Sequence, residues 1–131
     1  MENHSNINNQ FIPYEQALEL KELGFDEPCF GSIDQIGYIY IKGSKSSPRG
    51  SMMYNIIDCP TYSQAFRFFR EKYMLSGEIY IFKNIWNFDI EDISNSIQLY
   101  TSDIMCYNSY EEAELECLVK LIEIAKEQNV K

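Results

Sequence analysis

Three helix openings in this chain share one short phrase, and their spacing constrains what the chain can fold into. Tyr14-Glu15-Gln16-Ala17, Tyr62-Ser63-Gln64-Ala65 and Tyr110-Glu111-Glu112-Ala113 set their tyrosines 48 residues apart each time. Thr61 stands three residues before Gln64 and Ser109 three before Glu112. That is the capping-box spacing, in which a hydroxyl accepts the N3 amide and the N3 side chain reaches back to the cap. Pro13 holds the equivalent place in the first opening and has no side-chain oxygen, so it reads as an entry proline that fixes φ. The segments between the openings do not align when slid by 48 residues. This favours convergence at helix starts over an internal duplication.

The helices divide the chain into blocks. The first is predicted from Pro13 to Leu23, closed by Gly24 at C′ with Phe25 folding back on Leu20, a Schellman ending. Strand one is predicted over Ile36–Lys42, with Ile39 and Ile41 on one face and Tyr38 and Tyr40 on the other. Residues 43–51 carry turn chemistry throughout and predict a mobile loop between paired strands, with a return strand at 52–57. The second helix is predicted from Tyr62 to Met74, its core stripe being Tyr62, Ala65, Phe66, Phe69 and Tyr73. Phe68 falls off that stripe, as a packing residue at a second contact or as an exposed aromatic.

Four strand candidates follow, 78–83, 85–90, 96–101 and 104–107, with two or three of them merging. In Ile85–Ile90 the residues Trp86, Phe88 and Ile90 form an apolar face, while Asn87 and Asp89 face water. A third helix, Tyr110–Gln128, carries Ala113, Cys117, Leu118, Leu121, Ile122 and Ile124 on one stripe. The expected fold class is α+β: one antiparallel sheet of four to five strands, three helices packed mainly on one face, order α-ββ-α-βββ-α. Residues 1–10, polar and rich in Asn, read as a disordered N-terminal tail, and 11–131 as a single α+β domain.

Composition removes several function classes. The 131 residues carry a net charge of −9, divided as seven acids and two bases over 1–43, three acids and six bases over 44–83, and ten acids and three bases over 84–131. An acidic total argues against direct nucleic-acid binding, which draws its affinity from phosphate neutralisation. Cys29, Cys59, Cys106 and Cys117 contain no CxxC pair and read as reduced thiols. With neither a signal-peptide pattern nor an apolar run of membrane length, the expected setting is cytoplasmic, without membrane association.

Catalytic signatures are missing as well. His4, the single histidine, lies in the tail, where no rigid neighbour could hold it beside a nucleophile. The adjacent pairs Asp26/Glu27 and Glu91/Asp92 read as turn or surface pairs. Gly43-Ser44-Lys45-Ser46 lacks the spacing of a phosphate-binding loop and leads into no helix. No cofactor, metal site or catalytic set is implied. The one constellation with ligand chemistry is Lys45, Arg49, Arg67 and Arg70, bordered by Tyr38, Tyr40 and Phe68, which could stack a base and hold phosphates if they converge. The alternative is that these basic residues pair with the acidic flanks of the first and third helices.

Three segments add a resemblance: 14–29, from Tyr14 to Cys29; 60–73, from Pro60 to Tyr73; and 110–118, from Tyr110 to Leu118. They resemble a group of small uncharacterised proteins from gut Bacteroidota and their phages, over about a third of the chain. The resemblance implies a phage or mobile-element origin and a bacterial host cell, and it carries over no site residues. The functional expectation is a non-enzymatic accessory protein that binds a host or phage protein partner through aromatic and acidic surface. The alternative is a protein that sequesters a nucleotide-like small molecule at the basic and aromatic group, with a homo-oligomer possible. A third reading is mimicry of nucleic acid by the acidic helices; an enzyme ranks last.

Overall fold

The helix boundaries follow from their local chemistry. In the computed structural model, which describes residues 9–42, 55–102 and 107–130, α1 spans Tyr14–Glu22 after an extended Pro13. Gly24 at φ 103° lets the chain turn back. The Gly24 amide donates to the Lys21 carbonyl at 3.1 Å and the Phe25 amide to the Leu20 carbonyl at 2.9 Å, the two bonds of a Schellman ending. At α2, Tyr62–Phe68, the Gln64 amide donates to Thr61 Oγ1 at 3.2 Å and the Thr61 amide to Gln64 Oε1 at 3.3 Å, a reciprocal capping box. At α3, Tyr110–Val130, the Glu112 amide donates to Ser109 Oγ at 3.1 Å, while the Glu112 carboxylate accepts from the Asn108 amide at 3.0 Å.

The strands are Gly31–Asp34 (β1), Ile39–Ile41 (β2), Ile56–Cys59 (β3), Leu75–Phe82 (β4), Ile85–Asp92 (β5) and Ile97–Thr101 (β6). They form two separate three-stranded antiparallel sheets, ordered β2-β1-β3 and β4-β5-β6. The expected single sheet of four to five strands is therefore corrected to two sheets with three helices. The decisive element is β1. Four residues beginning with glycine gave no alternation to read, yet β1 is the central strand, pairing Ile33 with Ile39 on one side and with Ile57 on the other. The predicted strand 36–42 accordingly splits: Asp34–Gly37 is the turn of a β1–β2 hairpin, and the Gly37 amide donates to the Asp34 carbonyl at 2.9 Å. The loop predicted at 43–51 and the start of the return strand lie outside the described residues, as does most of the candidate at 104–107. So do residues 1–8 of the predicted tail, whereas the Gln10 carbonyl accepts from the Tyr62 amide at 3.0 Å.

Contacts group the chain into two units, Met1–Gln64 and Ala65–Lys131. In the first, α1 packs on β3, and Ile12, Leu20, Ile33 and Cys59 are among its buried apolar residues. Phe11 lies against Gly31, where an added Cβ would come within 2.9 Å of its ring.

In the second unit, β4 and β5 form a long hairpin whose two-residue turn, Lys83-Asn84, has both φ angles positive at 53° and 64°. That is the backbone of a type I′ turn, whose twist suits the strands. The candidates at 78–83 and 85–90 are thus the two arms of this hairpin. α3 lies across β4 and β5. It comes close to the sheet at Gly77, where an added Cβ would sit 2.7 Å from Cys117 Sγ and 3.2 Å from Leu121 Cδ1. On the same face the Phe88 ring is stacked near both Tyr100 and Tyr107, with centroids 5.4 and 5.9 Å away.

The predicted stripe of the second helix needs a change too. After Phe68 the helix widens into a π turn, Phe69–Tyr73, which ends at Met74 in the left-handed region with φ 57°. The wider turn departs from the 3.6-residue period on which the stripe was drawn, and Phe68 and Phe69 are both buried.

Candidate functional site

Of the seven residues singled out from sequence, five are described. Lys45 and Arg49 lie outside the described residues. Tyr38 and Tyr40 belong to the first unit and Arg67, Phe68 and Arg70 to the second. Arg67 and Arg70 are exposed. Phe68 is the packing residue of the two alternatives, with its ring edge-on to Phe69 at 5.3 Å and to Tyr73 at 5.9 Å.

Tyr40 has a structural task. Its hydroxyl donates to Asp34 Oδ2 at 2.9 Å, while Asp34 Oδ1 accepts the amides of Ile36, Gly37 and Tyr38 at 2.9–3.0 Å. Asp34 is fully buried. Burial alone would raise its pKa, but the hydrogen bonds from Tyr38, Tyr40, Gly37 and Ile36 outweigh it and hold the carboxyl below its ordinary value. A buried carboxylate that accepts three backbone amides and a tyrosine hydroxyl anchors the turn. Tyr38, by contrast, is 65 % exposed, as are Ile36 in the same turn at 58 % and, at the other end of the hairpin, Phe30 at 70 %.

The three described thiols, Cys29, Cys59 and Cys117, are buried and free. Burial raises Cys29 to about 11 and Cys59 to about 12, and it raises Cys117 as well. Each therefore stays protonated at neutral pH. Among the described residues no group of three or more His, Cys, Asp or Glu side chains could hold a metal ion, and no helix is long and apolar enough to cross a membrane.

Each unit carries a surface depression lined by described residues. In the first unit a cleft of about 390 Å³ runs between α1 and β3, lined by Lys21, Phe25, Asp26, Glu27, Ile56 and Asp58 among others. In the second, the face of the sheet turned away from α3 holds a depression of about 280 Å³, lined by Ser76, Glu78, Asp89, Glu91, Ser96 and Gln98. Strand register explains why these side chains meet. Glu78 is opposite Asp89, and Glu91 is opposite Ser76 on one side and Gln98 on the other. Three carboxylates thus share one face with no Lys or Arg in the lining. Asp89 Oδ1 accepts from Tyr80 at 3.3 Å and from Thr101 Oγ1 at 2.5 Å, which fixes the middle carboxylate between the other two.

Beside this face runs β6, an edge strand of the sequence Ile97-Gln98-Leu99-Tyr100-Thr101. The register passes from Ile90↔Tyr100 to Glu91↔Gln98, so Leu99 has no partner and forms a bulge. Ile97 and Leu99 are 53 % and 43 % exposed.

The alternation in β5 correctly placed Asp89 on the open face, but it missed the companion row because Glu78 and Glu91 become neighbours only once three strands are in register. Asn87, read as facing water, is fully buried. Its side-chain Nδ2 donates to the Ile85 carbonyl at 3.0 Å, and its Oδ1 accepts from the Ser102 hydroxyl at 3.4 Å. That hydroxyl in turn accepts from the Phe88 amide at 2.9 Å. The chain beyond β6 returns to β5 there, which no local pattern encodes.

Compared with known protein families, curated proteins and solved structures, the chain matches none of them.

Proposed function

We propose that this chain is a non-enzymatic accessory protein of phage or mobile-element type that works in the bacterial cytoplasm by docking on a host or phage protein. The observation that carries the reading is the open side of the second sheet: a carboxylate row, Glu78, Asp89 and Glu91, beside an uncharged edge strand with exposed Ile97 and Leu99. A polar face bordering exposed apolar side chains is the anatomy of a protein interface rather than of a closed substrate pocket. The likeness of the three helix openings to the gut Bacteroidota and phage group supports the origin and setting. Direct binding to nucleic acid fits poorly, since a net charge of −9 repels phosphates.

The test is affinity capture from a Bacteroidota lysate with the full chain and with a Glu78→Lys/Glu91→Lys variant checked for native circular dichroism. A protein retained by the native chain and lost with the variant is the expected result. Retention of the same proteins by both, or a small molecule retained in native mass spectrometry with no protein partner, would overturn the reading.

A further inference from the structure

Strand β6 has features that set it apart from a protected sheet edge. Natural edges are commonly blunted by lysine, by proline, by a covering element or by a bulge. Among the described residues β6 shows, of these, the bulge at Leu99; its five residues include no charge and no proline. Among the described residues no strand pairs with its outer side. The Ser102 amide donates inward to the Phe88 carbonyl at 2.9 Å, so the alternation of a strand turns the Thr101 amide and carbonyl outward.

The two faces flanking this edge differ. By register Gln98 and Thr101 share the open side with Glu91 and Asp89, whereas Ile97 and Tyr100 share the α3 side with Ile90 and Leu75. On the α3 side, Lys120 Nζ lies 4.6 Å from the Tyr100 ring centroid and 3.2 Å from Glu123 Oε1, so the cation there is already engaged. Any strand added to β6 would alternate between these environments. Every second side chain would lie beside Gln98 and Thr101, with Glu91 and Asp89 one strand further in and about 10 Å across the sheet, within reach of a long cationic side chain, and the others would extend the apolar surface of Ile97 and Tyr100.

From this we infer that β6 is the docking edge for an extended segment of a partner protein in which basic and apolar residues alternate, added as a fourth strand to the β4-β5-β6 sheet. The inference rests on the protein-docking reading above and names its partner chemistry. Main-chain bonds supply affinity in strand addition and alternate side chains supply specificity. The carboxylate row, which has no cation in its lining, selects lysine or arginine on one face of the incoming strand. A second copy of this chain is the poorer occupant, because its own β6 offers no basic residue and each copy carries a net charge of −9. The bulge keeps the docking segment short and opposes open-ended stacking of strands.

The experiment uses the full chain and a capped synthetic peptide of alternating valine and lysine, with a valine–glutamate peptide as its counterpart. Two N-methylated versions of the lysine peptide, methylated at the valines or at the lysines, keep the charge but block one or the other backbone edge. The expected results are binding at least tenfold tighter for the lysine than for the glutamate peptide and new hydrogen-exchange protection over Gln98–Thr101. One of the two N-methylated peptides should lose binding, and a Glu78→Gln/Glu91→Gln variant should bind about tenfold more weakly.

Equal binding of all lysine peptides, methylated or not, would overturn strand addition while leaving an acidic docking face intact. No binding of the lysine peptide, or dimerisation of the chain through the same amides without peptide, would overturn the inference outright. Neither of these bears on whether the lysate capture finds a partner, so the two readings fail separately.

Discussion

The two sheets solve the same problem by different means. The β2-β1-β3 sheet is built from strands of three and four residues, too short to bury much apolar surface between them. Its hairpin is held by one side chain, Asp34, which gathers three amides and a tyrosine hydroxyl. The β4-β5-β6 sheet has two strands of eight residues under a helix of 21. There the register is fixed by packing, with α3 seated on Gly77 and the Phe88 ring stacked with two tyrosines. Its β5–β6 turn also carries an aspartate, Asp92, which among the described residues accepts from the amide and hydroxyl of Ser94, at 3.0 and 2.6 Å. Polar anchoring thus substitutes for strand length in one unit and merely trims a turn in the other.

The sharpest way to break this contrast is at Gly77. Gly77→Val places carbon where Cys117 Sγ and Leu121 Cδ1 already lie, and should destabilise the second sheet by about 3 kcal/mol through overpacking. Urea denaturation measures the loss. Hydrogen exchange should localise it to β4, β5 and α3, and a loss spread equally over β1–β3 would contradict the contrast.

The counterpart is Asp34→Ala. Removing the anchor leaves three hairpin amides without their acceptor and should cost about 2 kcal/mol, expressed as faster exchange at Ile36–Tyr38. The pH dependence follows from the depressed carboxyl. The folded pKa lies below the unfolded value of 3.8, so the contribution is complete above that value and is lost as pH falls through the folded one. Between pH 5 and acid, roughly pH 2, the native chain should lose more stability than Asp34→Asn. Parallel curves for the two would remove the electrostatic part of the account.

The smallest effects belong to the caps. Thr61→Ala and Ser109→Ala each remove one hydroxyl acceptor and should each cost about 1 kcal/mol. They sharpen the comparison because Thr61 caps the helix that carries the division between the units, whereas Ser109 caps a helix wholly inside the second.

What could be read from the sequence was what neighbours in the chain decide. Thr61 with Gln64, Ser109 with Glu112 and Gly24 with Phe25 announce their helix ends through contacts within five residues, and each is present. The alternation of Trp86, Phe88 and Ile90 likewise named the covered face of β5. The division into two sheets was not legible, because β1 becomes a strand only through partners at Ile39–Ile41 and Ile56–Cys59. Phe68 is buried because it stands three residues after Ala65 and next to Phe69, so the covered face of the helix runs through these three rather than through the stripe drawn from Tyr62 and Phe66. The basic and aromatic group was assembled from residue type alone. The carboxylate row needed three strands in register, so it could be found only with the sheet in hand.

The buried thiols give the chain a built-in clock. Cys29 and Cys59 sit in the first unit and Cys117 in the second, all buried and free. Each can be alkylated only when its own surroundings open, so three labelling rates mapped by peptide mass would time the excursions of each unit without any introduced probe. If docking at β6 quiets the second unit, Cys117 will slow while Cys29 and Cys59 keep their pace.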